Sequence, residues 1–195
     1  MMREYAEKYV NELVDIVKDT LHHKLNILVD MANKIQEVKK NNGRLFFLGV
    51  GGSAANASHA VNDFRKIGGI ESYAITDNVA ELTARVNDEG WDTSFSEWLK
   101  ISNLNDKDAI VIFSVGGGSE NTSQNIVKAI DLAKERNSTV LSIVSRDGGY
   151  SKQHSDVCYL IPIVNESRIT PHAEEFQGVV WHLLVNMVKE FDNEN

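Results

Sequence analysis

The spacing of apolar and polar positions changes repeatedly along this chain, and each change marks an element. Residues 3–21 place Tyr5, Tyr9, Val10, Leu13, Ile16, Val17 and Leu21 at helical spacing, with charged residues between them. A second helical pattern runs through Leu25, Leu28, Val29, Met31, Ala32, Ile35 and Val38, and Asn41-Asn42-Gly43 ends it. Leu45–Leu48 is then a short continuous apolar run of buried-strand length. Ser72–Thr76 reads as a strand and Val79–Val86 as a helix capped by Asp77. Asn87-Asp88-Glu89-Gly90 reads as a turn, after which Trp91–Leu99 resumes a helical pattern. Ala109–Phe113 (AIVIF) has the character of a central parallel strand buried on both faces. A helix through Ile126, Val127, Ile130 and Leu132 follows, then strands at Thr139–Val144 and Val157–Ile163. The last helix opens at Thr170-Pro171, where proline is tolerated, and carries Phe176, Val179, Val180, Leu183, Leu184, Met187 and Val188.

Five strands alternating with helices predict an α/β protein: a doubly wound, five-stranded parallel sheet with an N-terminal helical extension. At 195 residues and 42% apolar content, with two prolines and no low-complexity segment, the chain is most simply one domain over 1–195. Residues 43–195 form the expected α/β core. The helices of residues 1–42 exceed what a minimal unit needs, and either cover one sheet face or pack against a partner subunit. The net charge of −8 excludes a nucleic-acid binder working through a basic face. A lone cysteine, Cys158, cannot form an intrachain bridge, which points to a reducing cytoplasm. Neither a signal peptide nor a membrane anchor is expected, because the N-terminus is charged and no stretch approaches bilayer length.

Chemistry concentrates where strands meet glycines. Gly49-Val50-Gly51-Gly52 follows the first strand, and Ser53 is placed to cap a helix beginning at Ala54. Free N–H groups and the positive helix end there form an anion site. One turn apart on that helix stand His59 and Asp63. The loop also fits a loose dinucleotide pattern, but an acidic residue at the end of the second strand is missing, and no Gly-Lys-Ser/Thr makes it a Walker loop. After the third strand, Ser114 and Ser119 flank Gly116-Gly117-Gly118, a turn whose hydroxyls and N–H groups suit a phosphate monoester. Glu174 and His182 add a second carboxylate and imidazole on the last helix. Two imidazoles and two carboxylates from two helices make either an acid–base set or a zinc site. Of the other histidines, His22, His23 and His154 read as surface residues and His172 has no evident partner; Trp181 reads as core.

Gly49-Val50-Gly51-Gly52-Ser53-Ala54-Ala55 with His59, then Asn87-Asp88, the Ser114–Ser119 loop, Arg146-Asp147-Gly148-Gly149, and Thr170-Pro171-His172-Ala173-Glu174-Glu175 with His182 together resemble the sugar isomerase (SIS) domain family. Within it they are most similar to the phosphoheptose isomerases, and the likeness covers nearly the whole chain. It implies a flavodoxin-like SIS fold, a homotetramer with interfacial active sites, and aldose–ketose isomerisation of sedoheptulose 7-phosphate to a seven-carbon aldose phosphate in heptose biosynthesis. By position it implies Asp63, His182 and Glu174 as catalytic residues. The zinc ligands it implies are His59, Asp63, Glu174 and His182. Substrate contacts fall on Val50, Gly51, Gly52, Ser53, Asn87, Asp88, Ser114, Ser119 and Glu174. The chain departs from the family at Val50 (Asn in the family), at Asp63 (Glu), at Glu174 (Gln) and in a loop poorer by two hydroxyls. Asp63 is one methylene shorter than Glu, which draws its carboxylate back by about 1.5 Å. Relatives that act as non-catalytic modules, such as DiaA-like adaptors and sugar-phosphate sensors, define the alternative.

Overall fold

The computed structural model describes residues 1–192. Two helices, α1 (Met2–His23) and α2 (Leu25–Lys40), precede five parallel strands: β1 (Leu45–Gly49), β2 (Ser72–Ala74), β3 (Ala109–Ser114), β4 (Thr139–Val144) and β5 (Val157–Leu160). Between and after them lie α3 (Gly52–Lys66), α4 (Val79–Glu89), α5 (Ser94–Ile101), α6 (Gln124–Glu135), α7 (Gly149–His154) and α8 (Ile169–Glu190). The strand order is β2-β1-β3-β4-β5, with Leu45 beside Ser72 on one side and Ala109 on the other. This is the doubly wound arrangement expected from the sequence. The chain turns outward to β2 after β1 and returns to the other side of β1 for β3. The crevice between the carboxyl ends of β1 and β3 is therefore the topological switch point, where such sheets bind ligands.

Alternate strand residues feed two cores. Leu45, Phe47, Val111, Phe113, Leu141 and Ile143 face α2, α3 and α8, meeting Ile35, Phe64 and Val180. Phe46, Leu48, Ile110, Ile112 and Val140 face the other way, onto Phe95 and Leu99 of α5 and Ile126 and Ile130 of α6. Burial on both faces explains the unbroken apolar runs of β1 and β3, each fully buried aliphatic or aromatic side chain contributing roughly 1.5–3 kcal/mol.

Helix α1 buries little. Glu12 and Ile16 alone are fully covered, while Tyr5, Val10, Val14, Val17 and Leu21 are exposed. Glu12 anchors it to the start of α8: its carboxylate accepts from Arg168 Nε (2.7 Å) and Nη2 (2.9 Å), and from Asn165 Nδ2 (2.7 Å). It also lies 2.9 Å from His172 Nε2. The other nitrogen of His172 is 3.0 Å from Glu175, to which Tyr9 donates. Hydrogen bonds from Arg168 and then His172 hold the Glu12 carboxyl well below the usual carboxylate range, and Glu175 pushes the Tyr9 phenol up to about 12.

Several local expectations are corrected. Helix α3 starts at Gly52, not Ala54, and Ser53 is a buried first-turn residue with no capping bond. The residue before the helix is Gly51, whose φ of 65° reverses the chain directly off the strand. Strand β2 stops at Ala74 because Ile75–Asp77 form a 3₁₀ turn. Asp77 does not cap α4: its carboxylate accepts from Ser58 (2.5 Å), and Asn78 caps instead by accepting the Glu81 N–H (3.3 Å). Asn87, Asp88 and Glu89 are the last residues of α4 rather than a turn, and only Gly90 breaks the helix. Strand β5 ends at Leu160 rather than Ile163.

Candidate active site

The switch point holds a cleft of about 420 Å³ lined by Val50 and Ser53 after β1, by the β3–α6 loop, and by Arg146, Asp147 and Gly149 after β4. The third-strand loop contributes Ser114, Gly116, Gly118 and Ser119, with Thr122 and Ser123 beyond them. Ser114 is buried, and its Oγ accepts the Gly117 N–H at 3.0 Å, which folds the loop back over the strand end.

The glycines of this loop have a packing reason. A Cβ on Gly117, whose φ is 73°, would run into the Gly148 carbonyl, and one on Gly149 into the carbonyls of Gly116 and Gly118. Hydrogen bonds lock the same surfaces: the Gly117 carbonyl accepts from the Ser151 N–H (2.9 Å) and Oγ (2.7 Å), and the Gly118 carbonyl from the Tyr150 N–H (2.9 Å). Gly148-Gly149 thus serves as the bearing surface for the hydroxyl-rich loop.

A second group lies along α3. His59 is six residues beyond Ser53, about 9 Å at the helical rise. Its ring centroid is 5.4 Å from that of His182 on α8. Asp63, one turn further, is half-buried, and its Oδ2 lies 3.9 Å from His182 Nε2. His59, Asp63 and His182 each offer a ligand atom within 4.8 Å of the others. His182 Nδ1 is 2.7 Å from the Gly178 carbonyl, an acceptor only, so that nitrogen carries a proton and Nε2 is the one left to face Asp63. The 3.9 Å gap is too long for a hydrogen bond. Two nitrogens and a carboxylate, with one imidazole oriented by a backbone carbonyl, are a donor set that fits zinc. Trp181 is buried as expected, and its ring also stacks on His182 (3.5 Å) and meets His59 edge-on (4.7 Å).

Glu174 falls outside that triad. Its carboxylate lies over Gly52, where an added Cβ would meet it and Glu174 would have to shift. The first turn of α3 thus already faces a negative group, favourably placed at the positive helix end. A phosphate beside Gly51 and Gly52 would meet that like charge. Asn56 Nδ2 fixes the local backbone by donating to the Glu174 carbonyl (2.9 Å) and to Gln177 Oε1 (3.1 Å).

Asn87 and Asp88 are not brought to the cleft. They sit exposed at the end of α4, Asn87 Nδ2 donating to Asp88 at 2.7 Å. Conversely, Thr122, Ser123 and Arg146 line the cleft without having been singled out as contacts. For Arg146 the signal was present: it directly follows a predicted parallel strand, at the sheet edge where ligands bind. His172 paired with a residue on the first helix, 160 positions away, which no local pattern discloses.

With fold and site in hand, the class is set by comparison. The SIS domain family model matches residues 7–145, and the chain belongs to that family. Among its relatives, the phosphoheptose isomerase of Aneurinibacillus thermoaerophilus is 28% identical across 97% of this chain and 94% of its own length. That of Sulfurimonas denitrificans is 29% identical across 97% and 96%. The solved structure of phosphoheptose isomerase GmhA from Neisseria gonorrhoeae superposes with a TM-score of 0.85 at 25% identity, covering 97% of this chain and all (100%) of that one.

Proposed function

We propose that this chain is an aldose–ketose isomerase that converts sedoheptulose 7-phosphate to D-glycero-D-manno-heptose 7-phosphate. The observation that carries the reading is the meeting of His59, Asp63 and His182 from α3 and α8, α3 being the helix whose first turn lines the hydroxyl-bearing cleft at the switch point. Full-length relatives carrying the phosphoheptose isomerase name support the same activity.

In this mechanism the substrate phosphate occupies the β3–α6 loop at Ser114 and Ser119. The Asp63 carboxylate removes the proton from the carbon next to the carbonyl and returns it to the neighbouring carbon, through a cis-enediol. The His182 Nε2 lone pair, held in that tautomer by Gly178, exchanges the proton between the two oxygens. Alternatively His59, Asp63 and His182 would hold Zn²⁺, with Glu174 the fourth family position; the lone pairs of the three would then be engaged as ligands, and the ion would supply Lewis-acid polarisation of the carbonyl in place of the His182 proton exchange.

The assembly reading rests on exposed apolar surface. Val17, Leu21, Leu25, Val179 and Leu183 border one apolar groove of about 170 Å³ across α1, α2 and α8. We assign this face to contacts between copies in a homotetramer, with residues 1–42 as the oligomerisation element of a single domain. Among the described residues no helix is long and apolar enough to cross a membrane, and the lone cysteine favours the cytoplasm.

The test is conversion of sedoheptulose 7-phosphate by the purified protein, wild type against His182→Ala. Turnover that depends on His182 supports the isomerase. Binding of sugar phosphates without turnover would instead make the protein a sensor of them, and neither would leave an adaptor.

A further inference from the structure

Among the described residues five that are not glycine have positive φ: Asn42, Asn103, Ser123, Asn137 and Arg146. The three asparagines each stand just past the end of a helix, α2, α5 and α6, where a left-handed residue closes the last turn. The other two both line the switch-point cleft. Backbone held in a sparsely populated region, and held twice around one cavity, marks a constraint imposed by the site.

Arg146 has φ 54° and follows β4 directly. Its stem runs along the glycine loop, with Cδ 4.0 Å from where a Gly116 Cβ would be. It is exposed, and it is the one cationic residue of the cleft lining. No hydrogen bond or ion pair among the described residues engages its guanidinium. The adjacent Asp147 also lines the cleft; it makes no ion pair with Arg146, and its Oδ1 accepts the Gly149 N–H at 3.1 Å. An unpaired guanidinium beside Ser114, Ser119, Thr122 and Ser123 has the chemistry of a phosphate partner, since its fork matches two oxygens at once.

We infer that Arg146 grips the phosphate of the substrate and sets the preference for phosphorylated over free sugars, adding a cation to the hydroxyls of the loop. The substrate named in this inference rests on the isomerase reading; the anion site itself does not. The glycine bearing surface supports the geometry, because it fixes the start of the Arg146 turn against the loop that would hold the other phosphate oxygens.

The experiment compares wild type with Arg146→Asn, which removes the charge while tolerating a left-handed backbone, and with Arg146→Lys, which keeps the charge without the fork. Binding of inorganic phosphate is measured by calorimetry at fixed low salt, and steady-state kinetics with sedoheptulose 7-phosphate in parallel. Arg146→Asn is expected to weaken phosphate binding and raise KM by about 10- to 100-fold, the range of a charge-assisted hydrogen bond, with kcat changed less than about threefold. Arg146→Lys falls between. Phosphate binding equal to wild type in Arg146→Asn overturns the inference, as does a fall in kcat with KM unchanged. If no chain turns over the sugar but Arg146→Asn still loses phosphate, the anion site stands and the isomerase reading falls.

Discussion

His182 Nε2 points at Asp63 Oδ2 across 3.9 Å while its Nδ1 is held by the Gly178 carbonyl at 2.7 Å. The imidazole is thereby oriented with Nδ1 occupied and Nε2 facing a carboxylate, the orientation a metal ligand or a proton carrier requires. Replacing His182 by Ala is expected to weaken zinc binding by more than about 100-fold, since loss of an outer-shell partner alone costs 10- to 100-fold. Competition against a fluorescent chelator reads this directly. Unchanged zinc affinity would remove His182 from the donor set.

The two carboxylates can be told apart. Asp63→Asn is expected to lower kcat by about 10²- to 10⁴-fold, the usual worth of a positioned base. Glu174→Gln restores the residue typical of the family and is expected to stay within about tenfold of wild type. Initial rates with sedoheptulose 7-phosphate decide. The reverse pattern would transfer the base to Glu174.

Gly117→Ala tests the interlocked loops. The added Cβ meets the Gly148 carbonyl at a φ of 73°, so both strain and collision oppose it. A loss of more than about 2 kcal/mol is expected in urea unfolding, from the left-handed penalty plus the displaced backbone. A stability equal to wild type would show that the two loops separate freely.

The apolar face predicts an association state. Leu21→Asp combined with Leu183→Asp places charges on two exposed apolar positions of one groove, and is expected to reduce the proposed homotetramer to smaller species in light scattering. Retention of the tetramer would move the interface elsewhere.

The acid behaviour of Glu12 has a definite sign. Its folded pKa lies below the unfolded value of about 4.3, so the folded protein binds fewer protons through the acid range and its stability there rises with pH. The contribution is complete above that unfolded value and disappears as pH falls through the folded one. Urea midpoints for Glu12→Gln should lie below wild type at neutral pH, and the gap should begin to narrow below about pH 4 and shrink further as the pH falls. Parallel curves over the whole range would show that Glu12 adds nothing through its charge.

Much of this molecule could be read from its residues in order. The apolar runs of β1 and β3 announce double burial, and the glycines after them mark the switch point. His59 and Asp63 share a helix face by spacing alone, and the reach of His182 to them followed from the family likeness. What could not be read depends on contacts distant in sequence. Glu12 is one charge among many on its helix until Arg168 and His172 arrive from the far end of the chain. Asp77 looked like a cap because nothing local shows that Ser58 engages it. The glycines of 116–118 suggested anion binding, whereas Gly117 is required at least as much by the Gly148 carbonyl behind it.

That back-to-back seating of Gly117 against Gly148 ties two distant stretches of sequence into one mechanical part. Neither stretch can acquire a side chain at the seam without the other giving way, so changes in which sugar is accepted have to come from the rim, at Val50, Ser119, Thr122, Ser123 or Arg146. A library built to retune the enzyme should vary those five positions and leave the seam untouched.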